Sequence, residues 1–263
     1  VGWWGKLVGG AFGFMLGGPL GAVLGAALGH NVDKGISGLP NDDAYGPGDQ
    51  QRVQTAFFTA TFSVMGAVAK ADGRVTADEI TLAKAVMSEM ALSGEMRETA
   101  IRLFNEGKND NFPLEDVLSQ FRKECHRRQN LMQMFMEIQL QAAYADGSMD
   151  TAEEKLLINI CSALGFSEFV FRKLERMVRA ERGFGGRQQA KKSGPSLEDA
   201  YGLLNMTENA TDAEVKKSYR RMMNQHHPDK LVAKGLPEEM MKMAAKKTHE
   251  IKQAYEAIKA SRA

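Results

Sequence analysis

The side chains best suited to chemistry gather near the C-terminus, where His226, His227 and Asp229 stand together and His249 follows twenty residues later. Imidazole and carboxylate could ligate a metal or exchange protons. Neither chemistry is completed: neighbouring histidines point apart on a helix, and no zinc-type spacing links them to His249. No serine or cysteine nucleophile is placed with them. What remains is recognition. A basic run from Val215 to His226 leads into His227-Pro228-Asp229. Proline lacks an N–H and disfavours a helical residue before it, so the helix is expected to stop at His227 and display the tripeptide on a loop. At about 100° per residue, Val215, Ser218 and Met222 share one face, with Tyr219 at its edge. Lys216, Arg220, Met223 and His227 share another, so one side packs while the other carries positive charge towards the tripeptide.

Two acidic glycine turns are the other chemical candidates. Ala71 to Glu79 returns about 74 residues later as Ala145 to Glu153. Asp72, Thr76 and Glu79, or Asp146, Ser148, Asp150 and Glu153, offer hard oxygens of the kind calcium or magnesium takes. An EF-hand loop, however, carries several acidic ligands before its glycine, and here one aspartate precedes each. Helix capping accounts for the same residues: Asp-Gly makes the turn, Thr76 or Asp150 caps the next helix, and Glu79 or Glu153 completes a capping box. Asp146, Asp150 and Glu153 stand as the metal candidates; no metal, cofactor or catalytic residue is assigned. Cys125 and Cys161 lie in apolar helical contexts without metal or disulfide spacing and are read as packing residues.

These groups must be positioned by helices. The 263 residues carry a net charge of +1, which gives no global attraction for nucleic acid or anionic membrane. Leu7 to Gly29 is free of charge over 23 positions, enough to cross a bilayer, with Trp3 and Trp4 ahead of it as interfacial aromatics. Gly9, Gly13, Gly17, Gly21, Gly25 and Gly29 form an unbroken four-residue repeat, which on a helix is a stripe suited to close helix pairing. A span at 1–34 and a tether at 35–49 are therefore expected. A helical domain follows at 50–181, with apolar-periodic helices around Phe58–Val68 and Met132–Ala142 before the two turns. A linker at 182–195 precedes a C-terminal domain at 196–263.

That last domain resembles the J-domain of DnaJ-type co-chaperones. Pro195 to Tyr201 is similar to the family's first helix, and Ala210-Thr211-Asp212 to the turn and cap of the second. Val215 to Arg221, His227-Pro228-Asp229-Lys230 and Gln253 to Ile258 match the second helix, the loop and the third helix. The stretch from His226 to Met240 resembles the membrane-anchored DjlA-type co-chaperones of Gram-negative bacteria. The repeat region resembles the TerB-like fold. The implied fold is all-α: an N-terminal transmembrane helix, a TerB-like helical domain with an internal repeat, and a helical J-domain.

The resemblance implies a regulatory co-chaperone, not an enzyme, which recruits a DnaK-type chaperone and stimulates its ATPase. His227, Pro228 and Asp229 would contact the chaperone, with Lys216, Tyr219, Arg220 and Arg221 beside them. Asn224 and Gln225 depart from the family, where another basic residue is common. Because the partner needs ATP, the C-terminal domains are expected in the cytoplasm, on a chain anchored in the inner membrane as a homodimer through its glycines, with no nucleic-acid partner. The alternative is a membrane-tethered sensor or scaffold whose TerB-like domain binds a divalent metal or an envelope signalling partner.

Overall fold

The computed structural model describes residues 17–29, 49–71, 87, 88, 92, 94–144, 147–189 and 196–262, and among these there are helices and no strands. Gly9, Gly13, Asp72, Thr76, Glu79 and Asp146 lie outside the described residues.

The middle domain is built around one helix. α2 (Asp49–Ala69) has no polar face: apolar residues alternate with small hydroxyls all round, and such a helix must be enclosed. From Val53 to Ala69 only Ala67 escapes burial. The buried hydroxyls are accommodated locally, Thr55 Oγ1 donating to Gln51 O at 2.9 Å and Ser63 Oγ to Thr59 O at 2.7 Å. Around α2 lie α1 (Gly18–Gly29), α3 (Gly94–Gly107), α4 (Leu114–Glu124), α5 (Gln129–Ala143) and α6 (Thr151–Ala163). Phe57, Phe121 and Phe135, from α2, α4 and α5, form the central aromatic contact, with centroids 4.7 to 6.5 Å apart. Gly66 and Gly107 bring the backbones of α2 and α3 together: a Cβ on Gly66 would overlap the Phe104 carbonyl, and one on Gly107 that of Ser63.

α1 lies against α2, α3 and α4, burying Leu20, Val23, Leu24 and Ala27. At 12 residues it spans about 18 Å. No helix among the described residues is long and apolar enough to cross a membrane. The left-handed Gly17 (φ 56°) and Gly18 (φ 60°) start α1. The described part of the glycine stripe does not form one environment, since Gly21 is covered by the domain while Gly25 is exposed.

α7 (Glu168–Gln189) runs from the middle domain through most of the stretch read as linker. Arginine and glutamine there are good helix formers, and the C-terminal domain supports the helix by packing on it. A Cβ on Gly183 would sit 2.7 Å from the Asp199 carboxylate, and one on Gly202 would lie 2.8 Å from Ala180 Cβ. The C-terminal domain follows as α8 (Leu197–Leu203), α9 (Asp212–His226), α10 (Pro228–Ala233), a 3-10 turn (Glu238–Met240) and α11 (Met241–Ser261). α8 and α9 both pack on α11 through Leu203, Leu204, Val215, Met222, Ile251, Ala254 and Ile258.

Candidate functional site

α9 starts where the sequence places its cap. Thr211 Oγ1 accepts from Glu214 N at 3.3 Å, and Glu214 Oε2 accepts from Thr211 N at 2.8 Å, a complete capping box. That backbone N–H also holds the Glu214 carboxyl below its ordinary range. The helix ends at His226, and His227 is extended (φ −60°, ψ 125°), as a residue before proline should be. The tripeptide differs from the expected loop in one respect. Pro228 begins a second, short helix, its missing N–H being one that a helix start leaves unpaired anyway, and His227 O accepts from Leu231 N at 3.0 Å. Asp229 is exposed in the first turn of α10, where the helix dipole favours a carboxylate. His227 and Pro228 are half-buried.

Val215, Ser218 and Met222 are buried against the domain core, Ser218 Oγ donating to Leu204 O at 2.6 Å. Tyr219, at the edge of that face, stacks on Tyr255 with centroids 4.2 Å apart and planes 13° apart. Lys216, Arg220 and Arg221 are exposed, and no carboxylate pairs with them among the described residues. The structure therefore spreads three cations and an anchored tyrosine along α9, with the tripeptide at its C-terminal end. That surface suits an acidic, protein-sized partner and lacks a nucleophile or metal set. Among the described residues no cluster of His, Cys, Asp and Glu could hold a metal ion. At the second acidic turn, Asp150 Oδ1 accepts from Ala152 N and Glu153 N, and Glu153 Oε2 from Asp150 N at 3.1 Å. Both carboxylates cap α6. Cys125 and Cys161 are buried, which pushes both thiols up, Cys161 to about 11.

The two residues that depart from the J-domain pattern have structural duties. Asn224 Oδ1 accepts from Lys230 Nζ, tying α9 to α10. Gln225 Nε2 donates to Gln133 Oε1 of α5 at 2.5 Å, so it faces the middle domain. Beside it lies a buried charge cluster that joins the two domains. Lys247 of α11 reaches Glu137 of α5 (3.4 Å) and Glu181 of α7. Gln141 Nε2 donates to Glu181 at 3.2 Å. His226 Nε2 lies 3.6 Å from Glu137 Oε1, and neither atom has a hydrogen-bond partner. Burial pushes Glu137 up to about 7 and His226 down to about 3, Lys247 adding to the latter. Burial, then Glu181, pushes Glu250 up to about 8. Burial works against the charge on Lys247, but Glu181 and Glu137 more than offset it and hold the ammonium above its ordinary value.

An all-α chain with this capped basic helix, the His-Pro-Asp corner and the stacked tyrosine has the architecture of a J-domain protein, and the comparisons agree. Residues 199–263 match the DnaJ domain, 58–176 the tellurite resistance protein TerB, and 2–46 the co-chaperone DjlA transmembrane domain. The chain is 46% identical over 274 residues to co-chaperone protein DjlA of Photobacterium profundum, covering 97% of this chain and 98% of that one. It is 46% identical over 262 residues to the Coxiella burnetii protein of that name, and 43% over 268 to the Escherichia coli one, each alignment covering 98% of this chain and 97% of the relative. No solved structure matches the chain. The chain belongs to the DjlA co-chaperone family, whose members carry a membrane domain, a TerB domain and a J-domain.

Proposed function

We propose that the chain recruits a DnaK-type chaperone to the cytoplasmic face of an inner membrane and stimulates its ATPase. The observation that carries this reading is the exposed face of Lys216 and Arg220 on α9, leading to His227, Pro228 and the exposed Asp229, with Arg221 beside it donating to Ser218 Oγ at 3.0 Å. The cations raise the encounter rate and fix orientation, and Asp229 can accept a bidentate arginine bond. The J-domain does no chemistry. It binds more tightly to the chaperone conformation that hydrolyses ATP and so shifts the population towards it. Residues 7–29 act as the anchor, and their glycine repeat brings two chains together. Seating on α2, α3 and α4 and spanning a bilayer are exclusive placements of α1, so insertion moves Leu20, Val23, Leu24 and Ala27 into lipid.

The test is single-turnover ATP hydrolysis by a DnaK-type chaperone with the full chain in lipid nanodiscs. Stimulation by the wild type, lost in His227→Gln, is the expected result; equal rates with and without the chain contradict the reading. For the dimer, Gly17→Leu with Gly21→Leu should abolish association in a membrane reporter carrying residues 1–34, and undiminished association contradicts it.

A further inference from the structure

A second charged surface lies in the middle domain, away from α9. An open cleft of about 450 Å³ sits between the α4–α5 turn and the end of α6, with Arg122, Lys123 and Arg127 on its wall and Met132, Leu164 and Phe166 at its floor. No carboxylate lines it, and none pairs with these three cations among the described residues. The chain as a whole is nearly neutral, so this patch is a local excess that composition does not require.

We propose that this cleft is a docking surface for an anionic phospholipid bilayer, and the proposal stands independently of the chaperone reading. Three further observations point there. Arg122 and Lys123 sit in the last turn of α4, where cations are favoured by the helix dipole, but Arg127 lies beyond the helix in the left-handed conformation (φ 64°). That conformation is unfavourable for a residue with a Cβ, and neither the dipole nor the turn calls for an arginine there. Its side chain lines the cleft.

Next, Phe169 is 77% exposed, the most exposed large hydrophobic side chain among the described residues, and stands three positions beyond the floor residue Phe166. An exposed aromatic close in sequence to the cleft floor, on a domain whose cleft cations have no carboxylate partner among the described residues, suits a bilayer interface, which takes an apolar group at the acyl boundary and cations at its phosphates. The acid beside it, Glu168, lies 3.3 Å from Arg172, a guanidinium it shares with Glu154 and Glu175.

Finally, the domain that carries the cleft adjoins the membrane-domain match in sequence. The helical domain itself begins at Asp49, three residues after that match ends at residue 46. A domain tied so closely to a bilayer meets its headgroups at high effective concentration, so modest attraction suffices. Attraction of lysine and arginine to anionic lipid falls off within a Debye length, about 8 to 10 Å, so only a patch that reaches the surface contributes.

The experiment places an environment-sensitive fluorophore on Gln129→Cys at the cleft rim; the native cysteines are buried and do not compete for the label. The full chain is reconstituted in nanodiscs of phosphatidylcholine alone or mixed with phosphatidylglycerol. Phosphatidylglycerol should shift the emission to the blue. The shift should reverse in high salt, shrink in Phe169→Ser and vanish in Arg122→Glu, Lys123→Glu, Arg127→Glu of wild-type helicity. If the charge-reversed chain loses helicity, the salt and Phe169→Ser arms decide alone. The same emission in both lipids overturns the proposal. A shift caused by soluble polyglutamate in phosphatidylcholine nanodiscs, and not by phosphatidylglycerol, overturns it in favour of an acidic protein partner.

Discussion

The C-terminal domain carries positive charge in two places that behave oppositely. On α9, Lys216, Arg220 and Arg221 stand in water without carboxylate partners. On α11, Lys247 is 2% exposed and held between Glu137 and Glu181 of the middle domain. An exposed ammonium or guanidinium contributes little to stability and stays available to a partner. A buried one must be paired, and the pairing fixes whatever elements supply the acids. The difference separates what the domain offers a chaperone from what fastens it to the rest of the chain.

Breaking the buried side should give the largest effect on folding. Lys247→Met leaves Glu137 and Glu181 buried without a counter-charge, and the expected loss is about 3–5 kcal/mol of stability. In urea the wild-type chain should unfold in one transition and the variant in two, as the domains lose their coupling. Adding Glu137→Leu and Glu181→Met should restore much of the loss, because an apolar set of similar volume avoids the desolvation of charge. A Lys247→Met chain with unchanged midpoint and a single transition would remove the cluster from the account.

The cluster also sets a pH window. Glu137 and Glu250 are held up to about 7 and about 8, above their ordinary 4.5. Their contribution is complete below about pH 4.5 and is lost as pH rises through 7 and 8. His226, held down to about 3 from its ordinary 6.5, contributes fully above pH 6.5 and loses that as pH falls through 3. The opposing slopes offset one another in mild acid, leaving a net weakening of the domain contact between about pH 6.5 and 8. The hydrogen-exchange protection factors of the α8 and α11 amides, corrected for the intrinsic rise of exchange with pH, should fall over that range in wild type and less so in Glu250→Gln. A flat profile in wild type would contradict the assignment.

The exposed side should show a smaller effect, and on rates alone. Arg220→Glu is expected to slow association with the chaperone and reduce its salt dependence, with unfolding midpoints unchanged. An association rate with wild-type salt dependence would take the basic face out of the mechanism.

Much of this comparison was legible in the sequence on its exposed side and little on its buried side. The α9 register, its Thr211 cap, its stop before Pro228 and the cation face follow from local rules, because a helix and its caps are set by near neighbours. The short helix at Pro228 escaped because proline marks the end of one helix and the start of another with the same chemistry. The helical course of α7 through Arg182 to Gln189 escaped because its glycines read as linker, whereas Gly183 lets α8 come close. The charge cluster was hidden since its members come from four helices. The one local sign was charge in an apolar register: Glu137 inside Met134 to Leu140, and Lys247 three residues after Ala244. The Asp150 and Glu153 carboxylates could be read either as ligands or as caps; in the structure both make the capping hydrogen bonds of α6.

The most direct measurement crosses the two sides in one set of samples: chaperone ATPase stimulation and urea unfolding for wild type, His227→Gln and Lys247→Met. His227→Gln should lose stimulation while keeping a near wild-type unfolding curve, because the side chain is only partly buried and its Nδ1 makes no hydrogen bond to lose. Lys247→Met should keep measurable stimulation while its unfolding splits. Stimulation that survives His227→Gln, or is lost only together with stability, would contradict the assignment of function to the exposed corner of α9.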